Sequence, residues 1–264
     1  MCHHIKPKSV GTYLSGICNQ LEPYFPRIRE FRNSALVSRT LAGCLRLRGS
    51  PTNRKHALTL EDIDVILIAL ASSSGHDDLL FIAQLLTGFF ALHRLGEMTY
   101  PDQVDLRDPR KIVRRISVHV SPDAYQYFLP SHKADKLFEG NIVIVPRNAS
   151  RRDPWLAFTS YLHSRDHLFP FSTALWLRAN GTIPSRSWFI TRLRRFFDAS
   201  IAGQSLRAGG ATSLASNGVA PSIIQGIGRW TSESFRVYIR KNPVLLQALL
   251  FARSSRAEST YIHD

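Results

Sequence analysis

Cysteine is scarce in this 264-residue chain: Cys2, Cys18 and Cys44 are the only three, and all fall in the first fifth. An odd, sparse set makes no disulfide framework and reads as small buried or surface thiols. Cys2 with His3 and His4 has metal-ligand chemistry, but no second cluster at zinc spacing completes a site. No apolar stretch reaches the roughly 18 residues that a membrane span needs, and the start, MCHHIKPKSV, lacks the apolar core of a secretory signal. A soluble, intracellular protein is expected. Acidic residues are also in deficit, 20 against 34 basic, for a formal net charge of +14. Such an excess points to a polyanionic partner, nucleic acid first and an anionic membrane second. No long Lys/Arg-rich amphipathic helix supports the membrane. Residues 1–58 hold ten basic and two acidic side chains, a net +8 in under a quarter of the length. With 44% hydrophobic and 20% charged residues, the chain has the composition of an ordinary globular protein.

Residues 49–58, GSPTNRKHAL, are polar, basic and contain Pro and Gly, as a linker does. Thr59 to Asp62 then resembles a capping box, with Asp in place of the usual Glu or Gln, ahead of the apolar run 64–71. The boundary is placed here, giving parts 1–58 and 59–264. Upstream, residues 12–17 and 34–47 carry mixed apolar periodicity and predict two or three helices that cannot bury a full core alone. Downstream, Leu79, Ile82, Ala83, Leu86, Phe89 and Phe90 recur at helical spacing and predict a long core-facing helix. Residues 112–119, 124–130 and 141–146 are rich in β-branched and aromatic types between turn residues, which predicts a small antiparallel sheet. Helical patterns return at 153–165 and 184–198, then in short helices to about residue 251. Helices, small sheet, helices: the expected fold class is α+β, mostly α.

Breaking a DNA phosphodiester through a protein nucleophile sets definite demands. The phosphate charge repels the attacking oxyanion, and two forked guanidiniums can neutralise it. A nucleophile must attack in line, and the leaving 5′ oxygen needs a proton. Much of the remaining catalysis is positioning and charge stabilisation. The C-terminal half offers GQSLRAGGAT (203–212) and IIQGIGRWTSESFRVYIRK (223–241). These blocks resemble the end of the tyrosine recombinase (phage integrase, Cre-like) catalytic domain, with its His-x-x-Arg box, Gly-(His/Trp) element and nucleophilic Tyr. Arg207 matches the second arginine and Tyr238 the nucleophile. TGFFALHRLGEMT (87–99) supplies the first arginine box, Arg-x-x-Glu, in Arg94 and Glu97, which share a face if helical. FLPSHKADKLFEGNIVIVP (128–146) reads strand, turn, strand, with Lys133 at the place of the family's hairpin lysine and Lys136 a weaker candidate. The resemblance spans roughly residues 60–250, and its flavour is that of the recombinase-like proteins abundant in fungal genomes.

The resemblance implies a DNA breaking and rejoining enzyme on double-stranded DNA, forming a 3′-phosphotyrosyl link without a metal or small-molecule cofactor. It also implies assembly as a homotetramer on DNA, with residues 242–252 docking on a neighbour or covering their own core, and nuclear residence if the host is eukaryotic. Residues 1–58 resemble the end of the family's helical core-binding domain and are short for it, as in a fragment or a truncated relic of a mobile element. Two positions depart from the pattern. Gln204 stands in place of the family His and can donate a hydrogen bond but cannot titrate. The family's His or Trp precedes the Tyr by nine residues, whereas here Arg229 is nine before Tyr238 and Trp230 eight. Trp230 packing against the site is preferred, with Arg229 on the phosphate as the alternative. A catalytically decayed DNA-binding protein on the same fold is the rival reading.

Each residue also has a plainer reading. Arg94 can be a snorkelling helix-end residue, Lys133 a solvated turn residue and Tyr238 an amphipathic surface residue. Arg207 opens a predicted helix, where a cation is unfavourable to the dipole unless an anion is close. His93 reads as packing. The basic runs Arg107, Arg110, Lys111, Arg114, Arg115 and Arg192, Arg194, Arg195 are solvated faces or backbone-tracking surfaces. His119, His163 and His167 share no metal spacing.

Overall fold

The computed structural model describes residues 4–50, 55–132, 135 and 137–230. The chain divides into two compact units, Met1–Arg54 and Lys55–Asp264.

The first unit holds three helices, α1 (Pro7–Leu21), α2 (Ile28–Arg32) and α3 (Ala35–Arg48). Pro7 opens α1, where its missing N–H costs nothing. Arg32 ties α2 to α1 through the Gly11 carbonyl (3.2 Å) and Ser15 Oγ (2.9 Å). Among its described residues only Val10 and Cys18 are buried hydrophobics, while Tyr24, Leu36 and Leu47 are exposed. Three short helices have too little interior to do otherwise.

The second unit is α+β, mostly α. Its elements are α4 (Leu60–Ala69), α5 (His76–Phe90), β1 (His119–Val120), β2 (Ala124–Leu129), β3 (Asn141–Pro146), α6 (Pro154–Leu168), α7 (Arg186–Leu193), α8 (Gly203–Ser216) and α9 (Pro221–Ile227). The capping box forms as expected: Asp62 N–H donates to Thr59 Oγ1 (3.1 Å) and Thr59 N–H to Asp62 Oδ2 (2.9 Å). Residues 55–58, assigned to the linker on composition, are instead bonded into this unit. His56 N–H donates to the Ser200 carbonyl and Leu58 N–H to that of Ser205, and Leu58 is fully buried.

Helix α5 is the axis of the unit. One core-facing stripe was expected, yet Leu80, Phe81, Ala83, Leu85, Leu86, Thr87 and Phe89 are all buried, because it is packed on several sides. On one side lie α6 and the sheet, where Tyr125 of β2 stacks on Phe158 of α6 with centroids 3.9 Å apart. On another lie α4, α7 and α8. The sheet is an antiparallel meander, β1-β2-β3, with Tyr125 opposite Val145 and Tyr127 opposite Val143 on the buried face.

The strand expected over 112–119 is a correction. Only its last residue enters the sheet; 112–114 lie between two 3₁₀ turns, Pro109–Lys111 and Arg115–Ser117, the second of which takes up three more of its residues. Its backbone is used elsewhere: Leu175 N–H donates to the Val113 carbonyl, and Arg114 forms an isolated bridge with Ala174. Among the described residues no helix is long and apolar enough to cross a membrane.

Candidate active site

Two helix ends build the site. Helix α5 closes with Leu92 in the left-handed region (φ 52°), and His93 N–H reaches back to the Gly88 carbonyl (3.0 Å) while Leu92 N–H bonds that of Phe89 (3.4 Å). Helix α9 closes the same way on Arg229 (φ 54°), with Trp230 N–H on the Gln225 carbonyl (3.2 Å) and Arg229 N–H on that of Gly226 (3.0 Å). Both are Schellman motifs, which normally place Gly at the left-handed residue. Helix α8 follows that habit with Gly218 (φ 75°). A branched or long side chain there costs about 1–2 kcal/mol, so the two non-glycine ends are strained backbone at the places where the candidate residues emerge.

Past Leu92 the chain turns His93 inward and Arg94 outward. Arg94 and Glu97 do not share a face of α5, as an i, i+3 helical pair would. Arg94 precedes a single 3₁₀ turn, Leu95–Glu97, and the pair meets across it. Arg94 Nη1 donates to Glu97 Oε1 (3.2 Å), and the Arg94 N–H to Oε2 (3.1 Å). The Arg94 side chain keeps 31% of its exposure, so its guanidinium still faces solvent.

Glu97 is the hub. Its Oε2 also accepts from Arg229 Nη2 (3.0 Å) and from His93 Nδ1 (2.7 Å). Burial opposes ionisation of this carboxyl, but the His93 hydrogen bond and the charges of Arg229 and Arg207 hold it well below the usual carboxylate range. His93 is completely enclosed. Burial pushes its pKa below 6.5, against the pull of Glu97. Its Nε2 meets the hydroxyl of Tyr127 on β2 at 2.5 Å. A carboxylate can only accept, so Nδ1 carries the proton and Nε2 accepts from the Tyr127 O–H. The 3.3 Å approach of Arg229 Nη2 to the same Nδ1 joins two donors and is not a hydrogen bond.

Arg207 lies in the second turn of α8 and is almost fully buried. It donates to the Gly228 carbonyl, and its guanidinium sits 4.1 Å from the centre of the Trp230 ring. Gly228 is required there, since a Cβ would fall 1.7 Å from that ring. The run Gly228–Arg229–Trp230 thus joins both arginine boxes, Gly228 and Trp230 on Arg207 and Arg229 on Glu97. Gln204, one helical turn before Arg207, is exposed, and no bond among the described residues ties it to the others. Lys133, Lys136 and Tyr238 lie outside the described residues.

Arg229 points inward, with Nη1 on the Ile227 carbonyl (3.1 Å) and only 9% of its side chain exposed. His93 and Tyr127 are the functional candidates that sequence reasoning missed. A histidine inside an apolar run, next to the arginine of the first box, was the available signal. Much of the flanking basic run is engaged: Arg115 forks onto Asp166, Arg110 onto Asp108, and Arg192 pairs with Asp77 and Asp78.

No family model and no curated protein matches the sequence. Solved structures do match the fold. The chain is similar to XerA recombinase, with 15% identity, a TM-score of 0.56, and 94% of this chain and 83% of that one covered. It is similar to the integrase of transposon Tn1549 in complex with circular intermediate DNA (14%, TM-score 0.53, 89% and 75% covered). A third match is XerH site-specific recombinase bound to its difH substrate (13%, TM-score 0.50, 93% and 70% covered). The chain therefore has the tyrosine recombinase fold.

Proposed function

We propose that the chain is a DNA breaking and rejoining enzyme acting on double-stranded DNA. The observation that carries this reading is that Arg207 meets Gly228 and Trp230 directly, while Arg94, more than a hundred residues away in sequence, is tied to Arg229 of the same short run through Glu97. That run ends eight residues before Tyr238. Recombinases of the same fold, crystallised on DNA substrates, support it.

In the proposed step the two guanidiniums neutralise a phosphate, with Arg94 solvent-facing and Arg207 held flat by Trp230. The Tyr238 hydroxyl loses its proton to solvent, and its oxygen attacks phosphorus and forms a 3′-phosphotyrosyl bond as the bond to the 5′ oxygen breaks. Lys133 gives that oxygen its proton. Gln204 lends a neutral amide hydrogen bond where a charged histidine would lend more. A 5′-hydroxyl of a second DNA end reverses the step, and pairing of ends calls for a tetramer on DNA. The phosphodiester energy is kept in the covalent link, so the reaction consumes no nucleotide. Gln204 favours one rival, a decayed DNA-binding protein on the same fold.

The test is covalent capture. The purified chain is incubated with randomised nicked duplexes that trap a phosphotyrosyl adduct, beside Tyr238→Phe. A denaturation-resistant adduct formed only by the unsubstituted chain is expected. Salt-sensitive binding by both proteins with no adduct from either would select the decayed reading.

A further inference from the structure

We propose that Tyr127 and His93 are positioning residues for the strand-cleavage reaction proposed above, on which this inference rests: hydrogen-bonded in series, they fix the Glu97 carboxylate so that it holds Arg94 and Arg229 at once.

The series has a defined direction. The Tyr127 O–H donates to His93 Nε2 (2.5 Å), His93 Nδ1–H donates to Glu97 Oε2 (2.7 Å), and Glu97 accepts from both guanidiniums. Each imidazole nitrogen is matched to one partner, which fixes a single neutral tautomer and a single ring orientation. The rings of His93 and Tyr127 also lie nearly parallel, 11° apart with centroids at 5.8 Å. Tyr127 and His93 are buried to within 1%.

Packing does not account for this arrangement. Burying an imidazole, a phenol and a carboxylate in series is costly, and an apolar set of similar volume commonly serves a core as well or better. What the series adds is direction at Glu97. Arg94 approaches with one side-chain nitrogen on Oε1, while Arg229 approaches with one on Oε2. Without the His93 proton only the Arg94 backbone N–H, besides the two guanidiniums, is left among the described residues to hold the carboxylate's orientation. Arg229 adds an independent sign. It occupies a left-handed helix end where glycine would be relaxed, so its side chain offsets the backbone strain, and that side chain reaches Glu97. Tyr127 is placed to couple a further part. It sits on β2, whose chain runs on from Leu129 toward Lys133, four residues beyond. The strand leading to the proposed acid is therefore hydrogen-bonded, through His93, to the carboxylate that orients the proposed phosphate-binding Arg94.

The test measures adduct formation on a nicked duplex by the full chain and three variants, together with duplex affinity of each in a Tyr238→Phe background. Tyr127→Phe keeps the ring and removes only the donor. His93→Leu removes both hydrogen bonds. His93→Asn keeps an N–H near the place of Nδ1. Misplacing a catalytic group by an ångström costs about 100-fold in rate, so a loss of that order is expected for His93→Leu. A smaller loss is expected for Tyr127→Phe, and partial rescue by His93→Asn, with duplex affinity changed less than about 2-fold because Arg94 is one phosphate contact among many. Unchanged rates in Tyr127→Phe and His93→Leu overturn the proposal, as do equal losses in His93→Leu and His93→Asn that track falling melting temperature. Nitrogen-15 spectra of the histidine side chains form the second arm. At pH 7.5 they should report a neutral His93 ring with its proton on Nδ1, enclosed by Glu97, Tyr127, Arg229 and Arg207. A ring that is charged at that pH, or carries its proton on Nε2, overturns the series whether or not the chain cuts DNA. No adduct from the unsubstituted chain, with the expected spectrum, overturns the enzymatic reading instead.

Discussion

At the scale of single residues, an enclosed carboxylate such as that of Glu97 is tolerable only when donors surround it. The four donors here come from three residues: His93, the backbone and side chain of Arg94, and Arg229. The arrangement has a consequence for stability against pH. Burial holds the His93 pKa below 6.5. An unfolded chain protonates this imidazole near pH 6.5, whereas the folded chain refuses the proton to a lower pH. The stability tied to neutral His93 is therefore complete above 6.5 and declines as the pH falls below it. The carboxyls of Glu97 and Asp64 are shifted downward in the fold, so their contribution is lost only on further acidification, below their ordinary values near 4. Thermal melts between pH 7.5 and 5 should show a loss that His93→Leu flattens; an unchanged slope in that variant would mean another group is responsible. In sequence the one sign of this was a histidine in an apolar run beside Arg94. Its partner Tyr127 is 34 residues away, and an imidazole among apolar neighbours looks like packing until the strand bearing the hydroxyl is set against it.

At the scale of elements, what was legible was local. The Thr59–Asp62 capping box and helices α5 and α6 are written in short-range patterns and form where those patterns lie, whereas α8 opens at Gly203 rather than at Arg207. The segment 112–119 was not, because β-branched enrichment marks a chain that fits a half-buried surface rather than a ladder. Val113 is buried, but its carbonyl is taken by Leu175 N–H, a partner no local pattern names. The end of α9 shows the same division. The motif Gly228–Arg229–Trp230 was visible, with Trp230 preferred as packing against the site and Arg229 on a phosphate as the alternative, but not that Arg229 itself takes the left-handed conformation and turns to Glu97 while Trp230 lies on Arg207. Gly228 and Gly226 make a test of that end. Gly228 has an ordinary helical φ of −77°, so an alanine there is strained only by contact with the Trp230 ring. Gly226, two residues earlier, has open space around it. Gly228→Ala should cost about 1–3 kcal/mol by overpacking, whereas Gly226→Ala should gain about 0.5–1 kcal/mol as an ordinary helix replacement. Urea denaturation of the two variants separates them, and equal effects would mean that Trp230 does not rest on Gly228.

At the scale of the whole molecule, the charge of +14 is not spread over equally available side chains. A guanidinium already forked onto a carboxylate has its donors in use. Arg115 is so engaged by Asp166, at 2.7–3.1 Å through two of its nitrogens. Arg114, its immediate neighbour, is exposed. Affinity for duplex DNA falls with salt because each neutralised phosphate releases condensed counterions, so the slope of log affinity against log salt counts phosphate contacts. If the segment 107–115 tracks a DNA backbone, removing a free cation removes one contact, while removing a paired one mainly exposes its carboxylate. Arg114→Ala should therefore lower duplex affinity across all sequences and reduce the salt slope by about one. Arg115→Ala should leave the slope nearly unchanged and lower the melting temperature, since Asp166 loses its fork. Both are read from fluorescence-anisotropy titrations over a range of salt, with melts of the free proteins alongside. A slope indifferent to Arg114 would turn this segment away from DNA, and the contacts would then have to come from other exposed basic residues such as Lys111 and Arg195.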